Sequence, residues 1–123
     1  MSRPRLAALD RQLTGISIPV SALRTADGCG AGEFADLVPL GRWCAGVGLD
    51  LIQLLPVNDT GTNSSPYSAL SAFALHPLYL DLNAVPGASR HAAEIADHRR
   101  RYSAGRLSYA STRAFKLSVV QKV

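Results

Sequence analysis

Hydrophobic and polar positions follow three successive patterns in the first half of this chain. In residues 15–23, GISIPVSAL, branched apolar side chains alternate with smaller ones, and this two-residue period predicts a strand. Apolar side chains in residues 33–46 recur with helical spacing before two glycines, which predicts a helix. Residues 49–57, LDLIQLLPV, form a nearly continuous apolar run, typical of a strand buried on both faces. The order strand, helix, strand predicts one βαβ unit of an α/β fold.

Glycine and proline interrupt the pattern between the first strand and the helix. Residues 28–32, GCGAG, lack the glycine spacing of a dinucleotide fingerprint and the Lys-Ser/Thr ending of a phosphate loop. Tight backbone turning is therefore the favoured role of these glycines. Pro39 falls inside the helical pattern and predicts a kink there, or a helix that restarts at this residue.

The second half of the chain predicts an extended arm followed by two helices. Residues 76–85 carry leucines at alternate positions, as a short strand or extended arm would. A modest helix is predicted around residues 92–101. A second helix follows from Ser108, which is the expected N-cap.

Length and composition indicate one small globular domain in a reducing compartment. The chain has 123 residues, of which 47% are hydrophobic. No run of about 18 apolar residues exists, which argues against a membrane span. The N-terminus is basic but has no continuous apolar segment of a secretory signal. Cys29 and Cys44 form no CxxC motif, so we expect two free thiols and a cytoplasmic protein.

Charge is distributed unevenly along the chain, whose formal net charge is +4. From Arg90 onward, eight Lys and Arg residues face two acidic residues. This basic end, and the HRRR cluster at residues 98–101 above all, raises nucleic-acid binding as one hypothesis. One short cluster with a single neighbouring aromatic residue is more typical of a solvated helix face, which is the favoured interpretation.

Metal and nucleophile chemistry find little support in the sequence. The three histidines, His76, His91 and His98, show no HxxxH or Cys/His spacing. We expect His76 to make a structural hydrogen bond and the other two to be solvated. No GxSxG elbow is present for a nucleophilic serine.

Three aspartates flank the apolar elements and are the remaining candidates for acid chemistry. Glycoside chemistry with retention needs two carboxyl groups about 5–5.5 Å apart. Nothing in the sequence pairs Asp50, Asp59 and Asp81 with one another. Asp59, in the NDT stretch, is more typical of a turn.

Residues 58–77 form the loop that leaves the carboxyl end of the second predicted strand, the end at which α/β proteins bind ligands. The loop contains the stretch SSPYSALSAFALHP. A tyrosine offers a flat apolar face with a hydroxyl group, and serines offer adaptable donors and acceptors, so the stretch suits sugars. A merely packed, hydrogen-bonded loop is the alternative.

These residues resemble a known family. Residues 51–82, with SPYS followed by SAFA, are similar to the N-terminal region of 4-alpha-glucanotransferases, the amylomaltases or disproportionating enzymes of glycoside hydrolase family 77. Residues 15–37 resemble that family's first strand and glycine-rich turn. Residues 107–116 resemble a later helix, in which Tyr109 and Lys116 match the family pattern. The family's aspartate before that tyrosine is a serine here.

The resemblance implies the fold and the reaction. It implies an α/β fold, the N-terminal part of a (β/α)8 (TIM) barrel that these residues leave incomplete. It implies transfer of an α-1,4-glucan segment to the 4-hydroxyl of an acceptor glucose or maltodextrin, with retention of configuration. The implied partners are α-1,4-glucans, maltose and maltodextrins, without nucleic acid or membrane. No organic cofactor and no metal are implied.

The resemblance also assigns the site residues. Tyr67 would line the sugar subsites, and Ser65, Pro66 and Ser68 would shape the same wall. The family's catalytic carboxylates lie on later barrel strands, so no residue of these 123 inherits a catalytic role. We therefore expect an N-terminal fragment that is inactive alone. A standalone maltodextrin-binding module is the alternative.

Overall fold

The computed structural model describes residues 11–102 and 104–123. Strand β1 (Gly15–Ile18) and strand β2 (Leu51–Leu54) are joined through helix α1 (Leu37–Gly46) and pair in parallel. Each element lies inside the range that its sequence pattern predicts. The chain therefore contains a parallel βαβ unit.

Strand β2 differs from the prediction of a strand buried on both faces, which is wrong for the described residues. Leu51 is 52% exposed and Leu54 is 37% exposed. The described sheet has two strands, so β2 has a neighbouring strand on one side. Gly15 lies opposite Leu51, and a Cβ atom there would be 2.4 Å from the Leu51 carbonyl oxygen. Glycine at this position therefore allows the two strands to pair closely.

Helix α1 begins two residues before Pro39 and follows a 3₁₀ turn, Phe34–Asp36. Asp36 accepts a hydrogen bond from the Glu33 amide at 2.8 Å, and the Glu33 carboxylate reciprocates in a capping box. Pro39 occupies the first turn, where a backbone N–H would have no helical acceptor. The predicted restart at Pro39 itself is therefore wrong by two residues.

The two later helices lie where the sequence predicts them. Helix α2 spans Ala92–Tyr102 and helix α3 spans Tyr109–Lys122. Ser108 occupies the N-cap position of α3 as predicted, but its side chain makes no capping bond to the backbone. Its Oγ atom lies 2.8 Å from the Ser111 Oγ atom instead.

Residues 76–85 do not form the predicted strand or extended arm. They form two short 3₁₀ turns, Pro77–Tyr79 and Leu82–Ala84. Leu78 and Leu82 are nevertheless almost completely buried. The burial of alternate leucines is thus as expected, but turns rather than a pleat direct these side chains inward.

His98 is buried, and the expectation of a solvated histidine is wrong. Its ring is stacked on Phe115 of α3, with 3.9 Å between the ring centroids and 4° between the planes. Tyr102 covers it from the same helix at 4.5 Å. Helix α2 is polar overall, so its sequence does not indicate that the face carrying His98 packs on α3.

The core of the described chain lies beside α3 and away from the sheet. Its buried side chains come from the glycine-rich turn, the 3₁₀ segments, α2 and α3. They form two clusters: Cys29, Leu82, Ala88, Ile95 and Val119, and Val20, Ala31, Leu78 and Tyr79. The residues of the predicted loop therefore run into the core at their C-terminal end.

Candidate functional site

Three residues separate the 58–77 loop from the end of β2, and the loop returns to its own starting point. The His76 amide donates to the Val57 carbonyl oxygen at 2.9 Å. Asn58 and Leu75 form an isolated antiparallel bridge beside that bond. The two ends of the loop are therefore joined next to the carboxyl end of a parallel strand.

Asp59 organises the inside of the loop. Its amide donates to Ala74 O and its carbonyl accepts from the Leu70 amide, both at 2.8 Å. Its Oδ1 atom accepts from the Gly61 amide at 2.8 Å, so the predicted role as a turn former is confirmed. The bonds from Asp59 to Ala74 and Leu70 join the two halves of the loop across more than ten residues of sequence.

Side chains add further bonds on the same side of the loop. The Asn58 side-chain amide donates to Ala72 O at 2.9 Å. Ser71 Oγ accepts from the Phe73 and Ala74 amides at 3.2 and 3.0 Å. The loop is therefore a locally bonded structure rather than an irregular connector.

The four predicted site residues form one turn at the tip of the loop. The Ser68 amide donates to the Ser65 carbonyl oxygen at 3.1 Å, with Pro66 fixing the dihedral angle φ at the second position of the turn. The Asn63 side chain accepts from the Ser65 amide at 2.9 Å. Tyr67 is 73% exposed, Ser68 is exposed, and Ser65 and Pro66 are half-buried. The turn therefore presents the tyrosine ring outward from a braced backbone.

Large apolar side chains accompany Tyr67 on the surface of the loop. Leu70 is 78% exposed and Phe73 is 94% exposed, with Leu75 exposed nearby. Apolar faces next to serine hydroxyls are the features that C–H faces and hydroxyls of a sugar would contact. Leu70 and Phe73 are not among the site residues predicted from the sequence. The feature of the sequence that could have indicated these two residues is the presence of large apolar side chains inside a polar loop.

His76 anchors the C-terminal end of the loop, as predicted for a structural histidine. Its Nδ1 atom accepts a hydrogen bond from the Leu78 amide at 3.1 Å. Burial lowers the pKa of His76, with Asp59 opposing and Arg113 adding to this effect. The neutral ring is the form that can accept this bond.

The three candidate aspartates have separate partners. Asp50 binds Arg11 and accepts from the Thr14 amide at 3.1 Å, and these bonds lower its pKa. Asp81 caps a 3₁₀ turn by accepting from the Asn83 amide at 2.8 Å. Within residues 11–102 and 104–123, no group of three or more His, Cys, Asp or Glu side chains could hold a metal ion. These contacts assign the aspartates structural roles.

The arginines of the basic cluster are also engaged. Arg100 and Arg101 form ion pairs with Asp97 at 3.2 and 2.8 Å. Arg99 Nη2 lies 3.4 Å from the Asn83 side-chain oxygen. Such intrahelical pairing is typical of a solvated helix face and weakens the nucleic-acid hypothesis.

Sequence reasoning missed an ion pair between Glu33 and Lys116. Lys116 is fully buried, and its Nζ atom lies 2.6 Å from Glu33 Oε1. Burial raises the pKa of Glu33, while Lys116 opposes this effect. The helical spacing of Thr112, Lys116 and Val119 on one face of α3 was the available signal.

This fold is that of one segment of a solved enzyme. The structure matches amylomaltase from Corynebacterium glutamicum with a TM-score of 0.80 and 22% sequence identity, covering 93% of this chain and 18% of that chain. The family model described as 4-alpha-glucanotransferase, glycoside hydrolase family 77, matches residues 18–123. The chain belongs to this family, and the resemblance drawn from its motifs is confirmed.

Two curated relatives show how much of the family the chain represents. It is 44% identical over 95 residues to a 4-alpha-glucanotransferase of Chlamydia caviae, covering 77% of this chain and 18% of the relative. It is 38% identical over 118 residues to the 4-alpha-glucanotransferase DPE2 of Oryza sativa, covering 89% of this chain and 12% of the relative. The chain therefore spans less than a fifth of either relative.

The cysteines and helices add two plain findings. Cys29 and Cys44 are free and buried. In the described ranges, no helix has the length and apolar character needed to cross a membrane.

Proposed function

We propose that these residues are the N-terminal part of a (β/α)8 barrel that transfers α-1,4-glucan segments to the 4-hydroxyl of an acceptor glucose or maltodextrin. The observation that carries the proposal is the family match over residues 18–123. The braced 58–77 loop at the carboxyl end of β2 supports it, because ligands of parallel α/β barrels bind at that end. The loop would form one wall of the glucan site.

Tyr67 is the residue proposed to contact the sugar. Its exposed ring stands on a proline turn that is held by the Asn63 side chain. A sugar ring stacked on this tyrosine would exchange apolar C–H surface for contact with an aromatic face. Ser65, Pro66 and Ser68 would shape the wall around it.

The chemical step requires groups beyond this wall. A retaining transfer uses one carboxylate as nucleophile and a second carboxyl group as acid and then base. The candidate aspartates Asp50, Asp59 and Asp81 are engaged in structural contacts. We therefore place the catalytic pair outside these 123 residues and expect no transfer by them alone. The two free thiols support a cytoplasmic location, since thiols stay reduced there.

The first test is a transfer assay with the 123-residue chain. The chain is incubated with maltotriose, and glucose and longer maltodextrins are separated by chromatography. We expect no product above the blank, because the proposal assigns the catalytic pair to residues outside this chain. Formation of maltopentaose with glucose would contradict the placement of the catalytic pair.

The second test asks what the loop does in a complete enzyme. These residues replace the matched segment of the Chlamydia caviae 4-alpha-glucanotransferase, and kcat/KM for maltotriose is measured. Tyr67→Ala should lower kcat/KM by about two- to tenfold, because an aromatic contact is worth about 0.5–1.5 kcal/mol. Tyr67→Phe keeps the ring and serves as the matched control. Equal kcat/KM for all three chimeras would refute the role of Tyr67.

A glucan-binding module without catalysis is a second candidate. It is favoured by the hydrogen bonds inside the loop, since a preformed surface loses less entropy on binding. Titration of the 123-residue chain with maltoheptaose, followed by NMR, tests it. Saturable shifts confined to the loop, and lost in Tyr67→Ala, would support binding; an unchanged spectrum would exclude it.

A further inference from the structure

The fully buried side chain of Lys116 is not used by the proposed reaction, and it makes an unusual set of contacts. Its Nζ atom donates to the carbonyl oxygens of Leu78 and Leu80 at 2.6 and 2.8 Å. The third bond goes to Glu33 Oε1 at 2.6 Å. An ammonium group has three donors, so each is used.

The two carbonyl groups belong to the segment that immediately follows the 58–77 loop. Leu78 lies in the 3₁₀ turn that His76 begins, and Leu80 ends that turn. The His76 ring also accepts a hydrogen bond from the Leu78 amide. The turn is therefore bonded through its amide to His76 and through its carbonyl oxygens to Lys116. Lys116 therefore fixes the backbone to which the C-terminal end of the loop is attached.

Arg113 faces the other end of the loop from the same helix. Its Nη2 atom lies 4.0 Å from the Asp59 carboxylate, and both side chains are 25% exposed. Residues three apart lie on one side of a helix. One face of α3 therefore carries the side chains that lie near both ends of the loop. Asp59 is also the residue that bonds across the loop to Leu70 and Ala74.

Glu33 completes the arrangement from the opposite side. It is 2% exposed and accepts from the Cys29 amide at 3.3 Å as well as from Lys116. Cys29 belongs to the glycine-rich turn that follows β1. The buried pair thus joins α3, the turn after β1 and the segment after the loop at one point.

We infer that Lys116 and Arg113 are positioning residues: α3 holds the two ends of the 58–77 loop in place and thereby sets the position of Tyr67. Burying an ammonium group is unfavourable unless it is paired and hydrogen-bonded, and an apolar side chain would fill the same space. The contacts that justify a lysine at this point are those to the loop segment and to Glu33. The consequence for glucan binding rests on the proposed function, but the positioning itself does not.

Hydrogen exchange in the 123-residue chain tests the inference without any glucan. The reporters are the loop amides of Asp59, Leu70 and His76, compared with the Leu55 amide, which bonds to Ile18 O in the sheet. Lys116→Met should speed exchange of the loop reporters at least about tenfold relative to the sheet reporter, because two bonds from a charged donor are lost.

Matched variants separate positioning from general stability. Glu33→Gln removes the carboxylate charge but leaves the Lys116 bonds to the loop segment, so it should lower global stability without selective loop exchange. Lys122→Met is the surface control, since Lys122 also lies in α3 but pairs with the exposed Glu94 of α2. Arg113→Met removes the charge that faces Asp59, and it should speed exchange of the Asp59 and Leu70 amides more than that of the His76 amide.

The outcomes are decisive in both directions. Selective loop exchange in Lys116→Met and Arg113→Met, with Lys122→Met unchanged, supports the inference. Equal acceleration of loop and sheet amides in both variants would overturn it, as would unprotected loop amides in the unaltered chain. Failure of Tyr67→Ala to affect the chimera would refute the glucan role alone and leave the exchange result standing.

Discussion

Gly32 provides the sharpest test of the structure, because an added methyl group there has nowhere to go. A Cβ atom on Gly32 would lie 1.8 Å from the Val20 carbonyl oxygen and 2.8 Å from the Leu23 Cβ atom. The Gly32 amide also donates to the Ser21 carbonyl oxygen at 3.1 Å. The obstructing atoms are mostly backbone, so a side-chain rotation cannot relieve the contact.

The expected loss of stability follows from these contacts. Overpacking of a closely packed site costs about 1–3 kcal/mol. Moving the backbone away would also break the bond to Ser21, which contributes about 1 kcal/mol. We therefore expect Gly32→Ala to lower the free energy of unfolding by about 2–4 kcal/mol, a large part of the roughly 5–15 kcal/mol of a typical domain.

Urea unfolding followed by far-ultraviolet circular dichroism measures this loss. With a slope near 1.5 kcal/mol per molar urea, the midpoint should fall by roughly 1–3 M. Gly41→Ala is the matched control, since no atom beyond the backbone of its own helix lies within 4 Å of a Cβ atom added in the middle of α1. It should stabilise by about 0.5–1 kcal/mol through helix propensity. If both variants change stability by the same amount, the close packing of the turn on Val20 is refuted.

Two further predictions concern buried titratable groups. Burial, followed by the charges of Lys116 and Arg101, lowers the pKa of His98, while Asp97 opposes them. As the pH falls, the unfolded chain therefore binds the proton before the folded chain does, and the free energy of unfolding should fall below about pH 6.5. His98→Phe should reduce this dependence on pH, which urea midpoints at pH 7.5 and pH 5 would measure. An unchanged dependence would contradict the prediction. Burial and Glu33 raise the pKa of Cys29, so its modification by a disulfide reagent should follow global unfolding, and rapid labelling of the native chain would contradict its burial.

The helices and strands could be predicted from the sequence because each has a local pattern. Alternation marks β1, helical spacing before two glycines marks α1, and a continuous apolar run marks β2. The resemblance then supplied the family from the SPYS and SAFA motifs. The motif match identified Tyr67 as a site residue, and the structure shows it on an exposed turn. Its contact with sugar stays a prediction.

Other features could not be predicted because they depend on distant partners. His98 has a polar neighbourhood along the chain, and only its packing on Phe115 makes it buried. The Glu33–Lys116 pair joins residues 83 positions apart. The leucines of residues 76–85 alternate as in a strand, but the proline and capping side chains favour 3₁₀ turns. Tertiary contacts override local propensity in the first two cases, whereas local capping decides the third.

The distribution of burial separates the sheet from the loop. The sheet residues Leu51 and Leu54 are substantially exposed, whereas the residues of the two core clusters lie beside α3 and the 3₁₀ segments. His76 and Lys116 attach the loop to the core beside α3. Its geometry therefore depends more on α3 than on a closed barrel. If this holds, a chain of these 123 residues should retain the shape of the 58–77 loop without a closed barrel. Slow hydrogen exchange of the Asp59, Leu70 and His76 amides in the isolated chain is the expected result, and exchange at the rate of an unfolded peptide would contradict it.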